Sequence, residues 1–174
     1  MVNSKYIIDL SQGMSDGGYS ALFRIKDQPL LGFKEFISKP RANYSRKIQL
    51  RLSKLDLAPK IYSKICKMKY HKLFPDQITG WGYLTEIARP IDKRGVVSPK
   101  RIQDLVDEIF SRTRLKFWDC HLSNIGLVKR KKQNKLVCID TGKESFDGYA
   151  NAWGNPDPGP LCSYCLDYYC NCED

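Results

Sequence analysis

The chain has 174 residues, 42% of them hydrophobic, which suits one domain or two small halves sharing a cleft and excludes a disordered or fibrous protein. No apolar run approaches the roughly 20 residues that cross a bilayer, and the N-terminus lacks the basic-then-apolar pattern of a signal peptide. A soluble, cytoplasmic protein with no membrane partner is the expectation. The net charge is +10, with the excess concentrated between Lys39 and Lys72, where Asp56 is the single acid, and again at Lys129-Arg130-Lys131-Lys132. That field predicts attraction for a polyanion such as ATP or for an acidic partner. No base-stacking aromatic motif accompanies it, so nucleic acid is the weaker reading.

Taken in order, Tyr6 to Leu10 reads as a short apolar strand. The glycine- and serine-rich stretch Ser11 to Ser20 follows and leads into a second strand, Ala21 to Ile25. Glycines in such a turn let backbone N–H groups approach phosphates with no Cβ in the way, although an ordinary hairpin turn has the same composition. Asp27-Gln28-Pro29 is a turn, and Leu30 to Ile37 is a third strand with Phe33 and Glu35 on one face and Lys34 on the other. Pro40 to Leu55 reads as a helix through the stripe Tyr44, Ile48, Leu52 and Leu55, and it contains no acid. Two further strands are expected over Lys60 to Tyr70 and Ile78 to Ile87, joined by a loop containing His71. Asp92 to Val97 is a polar connector. Ser98-Pro99 then caps a helix to about Thr113 whose stripe of Ile102, Leu105, Val106, Ile109 and Phe110 is core.

The most informative stretch comes next. Leu115 to Phe117 is expected to be a short strand entering a loop that holds Asp119, His121 and Asn124. Ile125 to Val128 leaves the loop, Lys129 to Lys135 is an exposed turn, and Leu136 to Ile139 is a strand delivering Asp140. Two acids and an amide at strand ends are the groups a phosphotransferase uses to orient a hydroxyl and hold Mg²⁺ on a nucleotide.

This layout resembles the protein kinase-like superfamily. Asp119 and Asn124 keep its Asp-x-x-x-x-Asn spacing, and Asp140-Thr141-Gly142 stands where Asp-Phe-Gly is usual. His121, two residues after Asp119, is closer to the aminoglycoside phosphotransferase branch. Phe117 and Trp118 stand where protein kinases usually have His-Arg. Upstream, Gly13, Ser15 and Gly18 resemble the glycine-rich loop, or a register shifted by two uses Gly17 as the middle glycine. Lys34 stands where the phosphate-contacting lysine is usual. Leu57-Ala58-Pro59-Lys60-Ile61-Tyr62 resembles the segment after the regulatory helix. Gly82 to Pro90 resembles the hinge, with Thr85 at the gatekeeper-like position and the backbone near Glu86 and Ala88 facing an adenine.

The resemblance implies an α+β, protein kinase-like fold. Residues 1–91 would form an antiparallel-sheet N-lobe and residues 92–147 a truncated, mostly helical C-lobe with the catalytic loop. It implies transfer of the ATP γ-phosphate to a hydroxyl-bearing protein or small molecule. Asp119 would orient the hydroxyl, Asn124 and Asp140 would hold Mg²⁺, and Lys34 would neutralise phosphate charge. The helix lacks the acid that usually pairs with the strand lysine, so a catalytically weak or inactive nucleotide- or partner-binding module is the alternative.

Two other readings concern the C-terminal part. Ile139-Asp140-Thr141-Gly142 also matches aspartic proteases, but those need two such aspartates sharing a proton, and little chain follows for the strands that usually come after. Residues 148–174 form a Pro/Cys-rich tail in which Cys162, Cys165, Cys170 and Cys172 supply four thiols, enough for a tetrahedral Zn²⁺ site. Cys-x-Cys is tight for that geometry, and four reduced thiols are the other reading.

Overall fold

The computed structural model describes residues 2–16, 20–70, 78–91, 95–131 and 133–146. The fold is α+β. Five strands, β1 (Val2–Asp16), β2 (Ser20–Ile25), β3 (Gln28–Phe36), β4 (Lys67–Tyr70) and β5 (Trp81–Glu86), form a sheet in the order β4-β1-β2-β3-β5. Its pairings are antiparallel except β1 with β4. A second sheet holds β6 (Arg89–Pro90), β7 (Ile125–Arg130) and β8 (Gln133–Cys138). Helix α1 (Lys39–Ser53) follows β3, α2 (Pro99–Thr113) precedes the Asp119 loop, and the short α3 (Lys143–Phe146) follows β8.

Both long helices start where their chemistry demands. Ser38 and Ser98 are extended N-caps whose side chains accept from Arg41 and Arg101, and each is followed by a proline in the first turn. Helix α1 ends as Asp56 takes φ 58° and the Leu57 N–H returns to the Leu52 carbonyl at 3.0 Å. Helix α2 ends at Arg114 with φ 59°, its N–H donating to the Phe110 carbonyl. The apolar faces of α1 and α2 meet β7 and β8 in one core around Leu52, Leu57, Ile102, Ile109, Phe117 and Ile125. The large sheet has its own core of Ile8, Ile25, Phe33, Met68 and Leu84.

Several expectations change. Strand β1 runs through the glycine-rich stretch to Asp16, paired with Ala21, with register shifts on either side of Gly13. An extended backbone with a neighbouring strand to bond needs no apolar side chains to persist. The expected strand 60–70 shrinks to β4. Residues 60–66 instead lie along the outer edge of β5, bonding through Lys60, Tyr62 and Cys66 to Glu86, Leu84 and Gly82. Strand β5 begins only at Trp81, because Thr79 turns back to Met68 and the Gly80 N–H donates to the Glu35 carboxylate.

Leu115 to Phe117 is not a strand. The Leu115 N–H is taken by the Thr113 hydroxyl, and the next backbone tie, at Trp118, goes to the Ser145 carbonyl. The turn expected over 129–135 tightens, since the β7–β8 ladder continues to Arg130 opposite Gln133. After Ile91 the described chain has one long helix, α2. Strands and extended loop make up much of the rest, so it is less helical than expected. Among the described residues no helix is long and apolar enough to cross a membrane.

Candidate functional site

Lys34, Asp119, Asn124 and Asp140 come from β3, the loop after α2 and the end of β8, and all border one cleft. Its larger part, about 540 Å³, is lined by Ala21, Leu22, Lys34, Thr85, Ala88 and Asp140, among others. Its smaller part, about 320 Å³, is lined by Arg41, Asp119, His121, Gly142 and Glu144, among others. Ser20, Ser123, Asn124 and Asp140 border both.

Lys34 is buried, at 7% exposure. Its Nζ donates to the Ile139 carbonyl at 2.9 Å and stands 3.7 Å from Asp140 Oδ1. The lysine, which has no acid to meet on α1, is held by the strand end that carries Asp140. Asp56, the acid nearest the helix in sequence, is bonded to Arg130 at 2.9 Å.

Asp140 accepts from the Gly142 N–H on Oδ1 at 3.0 Å and from the Ser145 hydroxyl on Oδ2 at 2.8 Å. Burial pushes its carboxyl up, but the Lys34 ammonium, the Ser145 hydroxyl, the Gly142 amide and His121 together hold it below the usual carboxylate range. It is therefore ionised at neutral pH. A carboxylate paired to a lysine is the reverse of two aspartates sharing a proton, which counts against the aspartic-protease reading of Asp-Thr-Gly.

Asn124 closes the Asp119 loop. Its amide nitrogen lies 2.9 Å from the Asp119 carbonyl and 2.8 Å from Asp119 Oδ2. Its own carbonyl accepts from Ile139 N at 2.9 Å, which ties the loop to the end of β8. With the nitrogen directed at Asp119, the amide oxygen is the atom left to accept or coordinate. His121 Nε2 is 3.2 Å from Asp119 Oδ1, and its Nδ1 is 2.7 Å from the Ser123 hydroxyl. Asp119 is thus fixed on both carboxylate oxygens.

One carboxylate and one amide oxygen beside an open cleft fit Mg²⁺, which usually takes one or two protein oxygens and completes its shell with phosphate and water. They do not form an all-protein cage. Among the described residues no group of three or more His, Cys, Asp or Glu could hold a metal ion. Cys162, Cys165, Cys170 and Cys172 lie outside the described residues, as do Gly17, Gly18 and His71. Gly13 and Ser15 fall within β1.

At the other end of the cleft, the Glu86 N–H donates to the Lys60 carbonyl and the Ile87 N–H to the Leu30 carbonyl. Ala88 is buried against Val128 and Val137. The Glu86 side chain faces Arg130, with Oε1 2.6 Å from Nη1 and Oε2 2.8 Å from Nη2, and it also receives the Lys60 N–H.

The sequence reading missed a buried polar cluster behind Lys34. Ser45 and Gln49, on the inward face of α1, meet Tyr83, Thr85 and Thr141, and all five are at most 3% exposed. Ser45 Oγ lies 2.7 Å from Thr141 Oγ1 and 2.9 Å from the Tyr83 hydroxyl, which lies 2.8 Å from Gln49 Oε1. The usable signal was spacing: Ala42, Ser45, Gln49 and Leu52 recur at three, four and three residues, placing two polar residues within the buried stripe.

The basic excess is partly internal. Arg41 pairs with Glu144, Arg46 donates to the Ser63 carbonyl at 2.9 Å, and Arg51 donates to the Thr113 carbonyl. Lys39 and Lys67 each lie 4.9 Å from the centre of the Trp81 ring. No protein-family model matches the chain, and no curated protein matches it.

Proposed function

We propose that the chain is an ATP- and Mg²⁺-dependent phosphotransferase with a protein kinase-like arrangement, acting on a hydroxyl. The observation that carries this reading is the convergence of Lys34, Asp119, Asn124 and Asp140 on one cleft, with Asp140 ionised beside the lysine. In this reading the adenine lies at the Thr85 end, where the Glu86 carbonyl and the Ala88 N–H are the hinge groups that meet it. Lys34 neutralises phosphate charge. Asp140 and the Asn124 side-chain oxygen would hold Mg²⁺, which when bound neutralises charge on the phosphates.

Asp119, held by Asn124 and His121, accepts the proton of the incoming hydroxyl. The acceptor oxygen bonds to the γ-phosphorus as the bond to the bridging oxygen breaks, and ADP leaves. The acceptor is a protein serine or threonine, or a small alcohol, entering beside Asp119. The basic surface would then serve for attracting ATP or an acidic partner.

A second reading, a nucleotide- or partner-binding module without turnover, is favoured by one observation. Lys34 is paired directly to Asp140 and not to an acid on α1, so the lysine competes for the carboxylate that would hold the metal.

A titration of Mg·ATP against the wild-type chain and Asp140→Asn, following melting temperature and ATP consumption together, separates the two. At one hundred times Kd, ligand binding adds about 2.7 kcal/mol. For a chain of this length that is a rise of roughly 5 to 11 °C. Stabilisation with turnover, both lost in the variant, is the expected result. Stabilisation without turnover favours a nucleotide-binding module, and no response to Mg·ATP overturns the phosphotransferase and leaves only a module that binds a partner.

A further inference from the structure

The buried cluster behind Lys34 has a direction. The Pro59 carbonyl can only accept, so the Gln49 nitrogen faces it, at 3.0 Å, and also donates to Thr85 Oγ1 at 2.6 Å. Gln49 Oε1 is then an acceptor and takes the Tyr83 hydroxyl proton. With that proton committed, Tyr83 accepts from Ser45, and Ser45 in turn accepts from Thr141. At the far end, the Thr85 hydroxyl donates to the Lys60 carbonyl at 3.1 Å.

The result is a relay, Thr141 to Ser45 to Tyr83 to Gln49 to Thr85 to Lys60, with longer side contacts from Thr141 to Gln49 Oε1 at 3.5 Å and from Thr85 to the Glu86 carbonyl at 3.3 Å. No buried side-chain polar atom among the described residues lacks a partner. Such a chain polarises along its length, and breaking it anywhere strands a buried group. It joins the residue after Asp140 to the residue before Glu86, across the inward face of α1.

We propose that Thr141 is a positioning residue for Asp140: its buried hydroxyl, donating to Ser45, fixes the turn that presents the carboxylate, in place of an ion pair between Lys34 and α1. This rests on the phosphotransferase reading and names how its metal-binding end is held. The backbone on either side is already tied, Ile139 and Asp140 to the Asn124 carbonyl and Gly142 to Asp140 itself. Thr141 is the point at which this turn is hydrogen-bonded to α1. A threonine suits the position because its methyl group fills buried space while its hydroxyl reaches Ser45.

The test measures ATP affinity by calorimetry in EDTA and across a Mg²⁺ titration, for the wild type, Thr141→Val, Thr141→Ser and Ser45→Ala. Valine keeps the shape of threonine and removes the hydroxyl. Losing one net hydrogen bond from the presented geometry corresponds to a change of about three- to tenfold. Thr141→Val and Ser45→Ala are expected to need about three- to tenfold more Mg²⁺ for half-maximal enhancement of ATP binding, with metal-free affinity unchanged. Thr141→Ser is expected to stay near wild type.

A Thr141→Val protein with the wild-type Mg²⁺ requirement overturns the inference. So does a variant that loses metal-free and Mg²⁺-assisted affinity in equal measure, because that is the signature of general structural damage. Should Thr141→Val fail to fold, Ser45→Ala breaks the same bond from the other side and decides the question. A wild-type chain that binds no ATP fails the phosphotransferase reading itself, a result distinct from a Mg²⁺ requirement that Thr141→Val leaves untouched.

Discussion

Arg130 on β7 and Glu86 at the end of β5 are 44 residues apart and meet through two parallel contacts, Nη1 to Oε1 at 2.6 Å and Nη2 to Oε2 at 2.8 Å. Their side chains are 15% and 16% exposed, so water screens the pair less than it would a surface one. Burial raises the Glu86 carboxyl, but Arg130 and the Lys60 N–H outweigh it and hold it below its ordinary value of 4.5. A depressed acid contributes stability above its unfolded pKa and loses it as pH falls through the folded one. Arg130→Met is therefore expected to cost about 1.5–3 kcal/mol at pH 7. It should also flatten the fall in stability below about pH 4.5, where the wild type begins to lose the pair. Urea melts at pH 7 and through the acid range check both effects.

Restoring an acid to α1 is expected to harm the protein. Gln49→Glu replaces the nitrogen that donates to the Pro59 carbonyl and to Thr85, turning a donor toward an acceptor into two acceptors face to face. A cost of about 1–3 kcal/mol follows from the stranded buried groups. Thermal melting should show a drop of roughly 2 to 12 °C. A variant as stable as the wild type would mean that the new carboxylate has found Lys34.

Gly82 admits no side chain. A Cβ there would lie 2.2 Å from the Lys34 carbonyl oxygen and 2.6 Å from Phe33 Cζ, and the first of these is backbone. Gly82→Ala must push β5 off β3 at the strand that carries Lys34. It is expected to cost more than about 3 kcal/mol. The soluble yield and the melting temperature of the variant are the readouts.

The buried thiols near the site should be inert. Burial, assisted by the neighbouring Asp119 charge, pushes Cys120 up to about 12, and burial also drives Cys138 well above its ordinary value. At pH 8 the Cys120 thiolate is then on the order of one part in ten thousand. Mass-spectrometric mapping after iodoacetamide treatment is expected to find both unlabelled in the native protein and labelled in guanidinium. Rapid native labelling of Cys120 would reveal that residues 115–121 open.

What could be read from the sequence was what local chemistry fixes. Ser98-Pro99 and the period of Ile102, Leu105 and Ile109 dictated α2, and the β-branched run before Asp140 dictated β8. The order of Lys34, Asp119, Asn124 and Asp140 marked them as a set, and the fold brings them to one cleft. What escaped depends on partners distant in the chain. Nothing near Gln49 says that Tyr83 and Pro59 will satisfy it, and nothing near Glu86 announces Arg130. The stretch 60–66 looks like a strand but bonds as an edging, because Ser63 turns its hydroxyl to the Leu84 N–H.

That edging has a bearing on how the chain behaves in a crowded solution. Along the outer side of β5, Lys60 accepts from Glu86, Tyr62 donates to Leu84, and Cys66 and Gly82 exchange both bonds. A strand arriving from a second molecule therefore meets a rim already occupied by the protein's own backbone, with no vacant donors or acceptors in the run between Gly82 and Glu86 to template its addition. Residues 60–66 thus guard β5 against intermolecular β-pairing.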